Sequence, residues 1–118
     1  MEKGLPEGGS LLYSRGCDWT EKIETVINSS GDPAVAYLIT NQKRMVDSGE
    51  IADRAEALRY AAQSDVIIAA MGENVMLCGE NRDRGSLRLP GSQEQFVEEL
   101  MATGKPVVLV VFGGRAQV

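Results

Sequence analysis

Two glutamates seven residues apart, Glu73 and Glu80, stand in MGENVMLCGENRDRGSLRLP, the stretch Met71–Pro90, together with Asp83 and the arginines Arg82, Arg84 and Arg88. A positioned carboxyl can donate or accept a proton at a reacting oxygen, provided that burial or a neighbouring charge tunes it for the task. The stretch leaves a short apolar run, VIIAA, and runs into a helix-start signal at Ser92. In open α/β sheets ligand chemistry gathers at such strand ends, where the chain loops over the sheet and projects polar groups together. The rest of the chain reads as scaffold for this loop.

Composition narrows the chemistry available. The 118 residues contain no histidine, which removes Ser–His–Asp and Cys–His catalysis, imidazole bases and most zinc sites. Two cysteines, Cys17 and Cys78, are too few and too far apart for a metal cluster and read as free buried thiols, a 17–78 disulfide being the alternative. Cys78 has no base beside it and reads as a small filler, not a nucleophile. A net charge of −5 argues against nucleic acid and against an anionic membrane surface, both of which need a basic face. No apolar stretch approaches the roughly 20 residues that span a bilayer. The N-terminal MEKGLPEGG lacks a signal-peptide core, and neither a cofactor nor a metal is expected. With 43% apolar and 25% charged residues the chain has the makings of one packed domain.

The elements that must carry the loop follow from periodicity. Leu11–Tyr13 before Gly16 suggests a strand over Ser10–Ser14, and Ile23, Val26 and Ile27 share one face of a short helix over Thr20–Asn28. Ser29 to Pro33 breaks the chain, and Ala34–Thr40 suits either a strand or a helix start. Asp47-x-x-Glu50 resembles a capping box for a helix through about Gln63, with Ile51, Ala55, Leu58 and Ala62 on its apolar face. Val66–Ala70 and Val107–Phe112 read as fully buried strands. Between them Ser92-x-x-Gln95 resembles a second capping box, and Phe96, Val97, Leu100 and Met101 form the face of a helix ending near Thr103. Gly104 suits the left-handed position after it, and Pro106 stops its continuation. Helix, strand, loop, helix, strand predicts parallel βαβ units. The expected fold is α/β, a three-layer αβα sandwich with a small, mainly parallel sheet, and both ends look cut from something longer.

Taken in order, SDVIIAAMGE, GENRDRGSLRLPGSQEQFVEEL and ATGKPVVLVVFGGRA resemble the C-terminal α/β sandwich domain of glycoside hydrolase family 3, the β-glucosidases and β-xylosidases. The resemblance is dense over Gln63–Arg115 and fainter in LLYSRGCDW, while Thr20–Gly49 reads as a variable insertion. Its strength lies in the succession: strand to Gly-Glu, Glu to Asp-Arg, Leu-Pro-Gly-x-Gln, Thr-Gly-Lys-Pro, strand, then Gly-Arg. Where the family usually has Asn-Gly-Arg-Pro, this chain has Gly113-Gly114-Arg115-Ala116.

The resemblance implies that residues 1–118 are part of a C-terminal sandwich domain whose catalytic barrel is absent here. In the family a barrel aspartate is the nucleophile, and a glutamate on a sandwich loop is the acid/base. Glu80, placed before Asn81-Arg82-Asp83-Arg84 as the family's loop glutamate precedes its Asp/Ser-Arg pair, is the acid/base candidate. Glu73 is the alternative candidate, against a structural reading as a loop-anchoring carboxylate. Asp83 and Arg84 read as pinning the loop or pairing with each other. Arg82 and Arg88 read as surface residues, Arg115 as a satisfied structural arginine and Trp19 as packing. The implied partners are a β-linked glucoside or xyloside and an N-terminal barrel of the same chain, and the implied location is periplasmic or secreted. Open sheet edges and a docking face predict a homodimer of the fragment. The competing function is a non-catalytic flavodoxin-like binding module, although no Gly-rich phosphate loop is present.

Overall fold

The computed structural model describes residues 4–19, 51–74, 77–78 and 84–118. The helix expected over 20–28, the ambiguous run 34–40, the Asp47–Glu50 capping box, and Glu80 with Arg82 and Asp83 lie outside the described residues.

Four elements appear in chain order: α1 (Arg54–Gln63), β1 (Ile67–Gly72), α2 (Gln93–Ala102) and β2 (Val107–Phe112). The strands are parallel neighbours, in register from Ile67 opposite Val107 to Gly72 opposite Phe112. The fold is therefore α/β with a parallel sheet, as the alternation of elements predicts.

The first helix starts later than its sequence spacing suggests. Asp53 is its N-cap, and its carboxylate accepts the Glu56 amide at 2.8 Å. That single bond satisfies one of the four amides that open a helix. Ile51 stands outside the helix and almost fully exposed, at 90%. The packed face is consequently Ala57, Leu58 and Ala61, while Ala55 and Ala62 face outward. The register is set from outside as well: the Asp53 amide donates to the Arg15 carbonyl at 2.7 Å, and the Ser14 hydroxyl donates to Glu56 at 2.9 Å.

The second helix also lacks its expected cap, since the Ser92 side chain makes no capping bond. Glu94 in the first turn instead ties down the chain before the helix, accepting the Leu89 amide at 3.1 Å and pairing with Arg88. Phe96 and Leu100 are buried, Val97 is half-buried and Met101 is exposed, so the inward stripe is narrower than the sequence suggests. At its far end Gly104 takes a φ of +74°, as expected after a helix.

The core gathers Ala61, Ile67, Ala69, Met71, Phe96 and Leu100, with Cys17, Leu89 and Val107 packed against it. Arg54 ties the two helices by its 2.6 Å bond to Glu99 and its position 5.4 Å over the Phe96 ring. Both helices pack on the Ile67–Ala69–Met71 side of the sheet. The strands are therefore not buried on both faces: β1 alternates, with Ile68 66% exposed, and β2 is exposed from Val108 to Phe112. Hydrophobic composition marks a strand as suited to burial, but a covering layer has to bury it, and the described residues supply one layer. Residues 10–14 are likewise not a strand. Leu11, Leu12 and Tyr13 are exposed there. No helix among the described residues is long and apolar enough to cross a membrane.

Candidate functional site

The loop springs from the end of β1, and the backbone there is held on two sides. Gly72 has a φ of +131°, and a Cβ at this position would fall on the Phe112 carbonyl group, so both conformation and space demand glycine. The next amide, of Glu73, donates to the Phe112 carbonyl at 2.7 Å and carries the ladder one step past the strand. From the other side Gln93, only 1% exposed, reads Gly72 through both ends of its amide. Its Oε1 accepts the Gly72 N–H at 2.6 Å, and its Nε2 donates to the Gly72 carbonyl at 2.8 Å. The same Nε2 donates to the Trp19 carbonyl at 3.0 Å, drawing the segment after Cys17 into the junction. A buried polar side chain is tolerated when its groups are satisfied, and Gln93 is satisfied by backbone.

Glu73 points inward from that junction, with no exposed side-chain surface. Its two oxygens meet two arginines from opposite sides of the loop. Arg84 Nη1 donates to Oε1 at 2.5 Å, and Arg115 Nε donates to Oε2 at 3.0 Å. Each arginine also holds a carbonyl. Arg115 Nη2 donates to Leu77 at 3.0 Å, and Arg84 Nη2 donates to Arg88 at 2.9 Å. A guanidinium suits this arrangement because its donors fork in fixed directions, so one head can bridge a carboxylate and a carbonyl. Glu73 is a loop anchor through arginine side chains, where the sequence suggests backbone amides as its donors.

The loop is pressed down a third time at Cys78. The Leu77 and Cys78 amides both donate to the Asn74 carbonyl, at 3.0 and 3.2 Å, closing a turn. The Cys78 Sγ then lies against Gly114, close enough that a Cβ on Gly114 would collide with it. Glycine is required there by proximity alone. Cys17 and Cys78 are free and half-buried. Burial pushes the Cys17 thiol pKa up, against the opposing pull of Arg54 and Arg15 and with a push from Asp18.

The structure thus brings Glu73, Arg84 and Arg115 together and puts Arg88 on the surface, paired with Glu94. Asp83 and Glu80 lie outside the described residues, inside the loop that these anchors bracket. Gln93 is the residue whose role the sequence analysis did not assign, although it is the last position of Leu-Pro-Gly-x-Gln, so its signal was present. No group of acidic, cysteine or histidine side chains suited to a metal occurs among the described residues.

Comparison with known proteins identifies what this architecture resembles. Residues 13–118 match the family described as the glycosyl hydrolase family 3 C-terminal domain. The match runs through 20–49, a stretch the motifs leave uncovered. A periplasmic β-glucosidase of Salmonella typhimurium is 31% identical over 117 residues, 98% of this chain and 14% of the relative. A β-xylosidase of Formosa agariphila is 39% identical over 115 residues, 98% of this chain and 12% of the relative. Among solved structures, a β-glucosidase involved in saponin metabolism from intestinal bacteria superposes with a TM-score of 0.51 at 36% identity, over 56% of this chain and 10% of that one. The chain spans about an eighth to a seventh of the length of these two curated relatives.

Proposed function

The chain belongs to the glycosyl hydrolase family 3 C-terminal domain family, and from that premise we propose that it supplies the acid/base loop of a retaining β-glycosidase, a β-glucosidase or β-xylosidase. The observation that carries the assignment is the enclosure of Glu73. A carboxyl with no exposed surface and an arginine on each oxygen has no face to turn toward a substrate. Of the two candidate acids, that leaves Glu80, which lies in the segment bracketed by Cys78 and Arg84.

In this reading Glu80, protonated, gives its proton to the glycosidic oxygen as the bond to the anomeric carbon breaks. A carboxylate nucleophile on an N-terminal barrel of the same polypeptide attacks that carbon from the other face. Glu80, now ionised, takes a proton from the water that hydrolyses the glycosyl-enzyme. Retention requires the two carboxyl groups to stand about 5–5.5 Å apart, so the loop must reach over the barrel pocket. Residues 1–118 alone lack the nucleophile and are inactive on this account.

The test uses the full-length enzyme and substrates that differ in leaving group. Glu80→Gln should depress hydrolysis of a 4-methylphenyl β-glycoside far more than that of a 2,4-dinitrophenyl one, whose departure needs no protonation. Equal losses on the two, or none, reject Glu80 as the acid. Turnover of either by residues 1–118 alone rejects the need for a barrel. Tight binding of phosphate or a nucleotide by this chain would favour a flavodoxin-like module instead.

The periplasmic relative supports a periplasmic or secreted location. The apolar residues Val108, Val110 and Phe112, all exposed on β2, support self-association of the isolated chain. Light scattering that stays monomeric at high concentration would exclude the latter.

A further inference from the structure

The strand β2 presents more than apolar side chains. The Ile67 amide donates to the Pro106 carbonyl and the Glu73 amide to the Phe112 carbonyl, which turns the backbone groups of Val108, Val110 and Phe112 toward β1. In a strand the N–H and C=O of one residue point to the same side and alternate along the chain, so Val107, Leu109 and Val111 aim theirs away from β1. Among the described residues the sheet has two strands, and these outward groups have no ladder partner. The flank they face is hollow. Val107 and Leu109 border a cavity of about 320 Å³ with Val97 and Met101 of α2, and Leu109 and Val111 border one of about 700 Å³ with Leu89 and Gln117. Both ends of the Gln117 carboxamide are buried and without a hydrogen-bond partner among the described residues. Gln93 shows what such a group binds in this fold: the N–H and C=O of a single backbone residue.

We propose that this flank of β2 is a self-pairing edge: a second copy of the chain lays its own β2 antiparallel against it, making one four-stranded sheet. The proposal rests on the self-association read above from the exposed β2 residues, and it assigns that association to the edge rather than to the open face. Two features select a second copy as the occupant. The six residues Val-Val-Leu-Val-Val-Phe carry no charge and no proline, the devices by which edge strands keep their own kind away. The edge is also complementary to itself. A two-fold axis through Leu109, perpendicular to the sheet, sets Leu109 opposite Leu109 and Val107 opposite Val111, so every outward N–H meets an outward C=O. The helices of both copies then lie on one side of a sheet of ordinary width.

The experiment compares sedimentation of residues 1–118 as wild type, Leu109→Pro and Val108→Thr. Proline at 109 removes an N–H that faces away from β1 and leaves the β1–β2 ladder its bonds. In the dimer it deletes both central bonds, one from each copy, and should raise the dissociation constant at least about tenfold. Val108→Thr alters the open face and should raise it by less than about threefold. Amide exchange read by NMR is the second measurement and needs no variant. Concentrated protein should protect the Val107, Leu109 and Val111 amides and dilution should release them, while the Val108, Val110 and Phe112 amides stay protected throughout. A dimer that survives Leu109→Pro but not Val108→Thr associates through its open face, which overturns the edge assignment and leaves self-association standing. A wild type that is monomeric at every concentration removes self-association itself, and the proposal with it. Outward amides that stay protected on dilution give the edge to another segment of the same chain and also overturn it. Where Leu109→Pro fails to fold, the exchange measurement decides alone.

Discussion

Two arginine–carboxylate contacts flank the same loop, and they differ in nearly everything but chemistry. At one end Glu73 has no exposed side-chain surface and takes an arginine on each oxygen. At the other end Arg88, 72% exposed, grips Glu94 through both Nε and Nη2. The outer pair has the more complete fork, yet water competes for every bond in it. The inner cluster has far less such competition, because the Glu73 carboxylate is fully enclosed, and removing a partner leaves a buried charge poorly compensated. Position in the fold, not the number of hydrogen bonds, decides which contact costs more to lose.

The sharpest way to break the inner cluster is at its base. Gly72→Ala must either move the Phe112 carbonyl or abandon a φ of +131°, which costs about 3–5 kcal/mol, in the upper tail for one substitution. Urea denaturation of the isolated chain measures it, and an effect below about 1 kcal/mol would show that the strand end is pliable. Glu73→Ala comes next, at about 3 kcal/mol by the same measurement. That value is the low end for breaking a buried pair, since both arginines retain some exposure and can partly rehydrate. Gln93→Leu strips the Gly72 N–H and two carbonyls of their partner and should cost about 2–3 kcal/mol, given about 1–3 for each buried group left unpaired and some relief from water.

Glu94→Gln is the smallest, and it sharpens the contrast by its pH dependence. The Arg88 hydrogen bonds, and more weakly its charge, hold the Glu94 carboxyl below the usual range in the folded protein. A lowered folded pKa stabilises above the unfolded value, and the benefit disappears as the pH falls through the folded one. The variant should therefore melt slightly lower than wild type at neutral pH, and the gap should close in acid. A gap that persisted there would assign the effect to a weakened Leu89 amide bond, accepted by a neutral amide oxygen, instead of to charge.

Much of this architecture was legible before any coordinates. The strand β2 falls at the residues its composition marks, and Gly104 ends the second helix as its position suggests. The structural role expected for Arg115 also appears, at 3.0 Å from Glu73. The failures have a common origin. Both expected capping boxes rest on pattern alone, and a carboxamide or carboxylate three residues on is not yet a bond. In α1 the cap moved to Asp53 because Arg15 and Ser14, some forty residues away, fix where that helix begins. In α2 the Ser92 side chain makes no capping bond, and Glu94 is turned to Arg88 and the Leu89 amide in the segment before the helix. The strands looked fully buried because valine and isoleucine suit burial equally on either face.

By itself the sequence determined the α/β class, the parallel pair of strands, the loop between them and the family to which that loop belongs. Local propensity and motif order suffice for these, because each depends on residues close together in the chain. Only the tertiary structure shows that Glu73 is enclosed. Glu73 and Glu80 differ little as residues seven positions apart. What separates Glu73 is that an arginine 42 residues away and another 11 residues away close on it, and no local pattern encodes such a meeting.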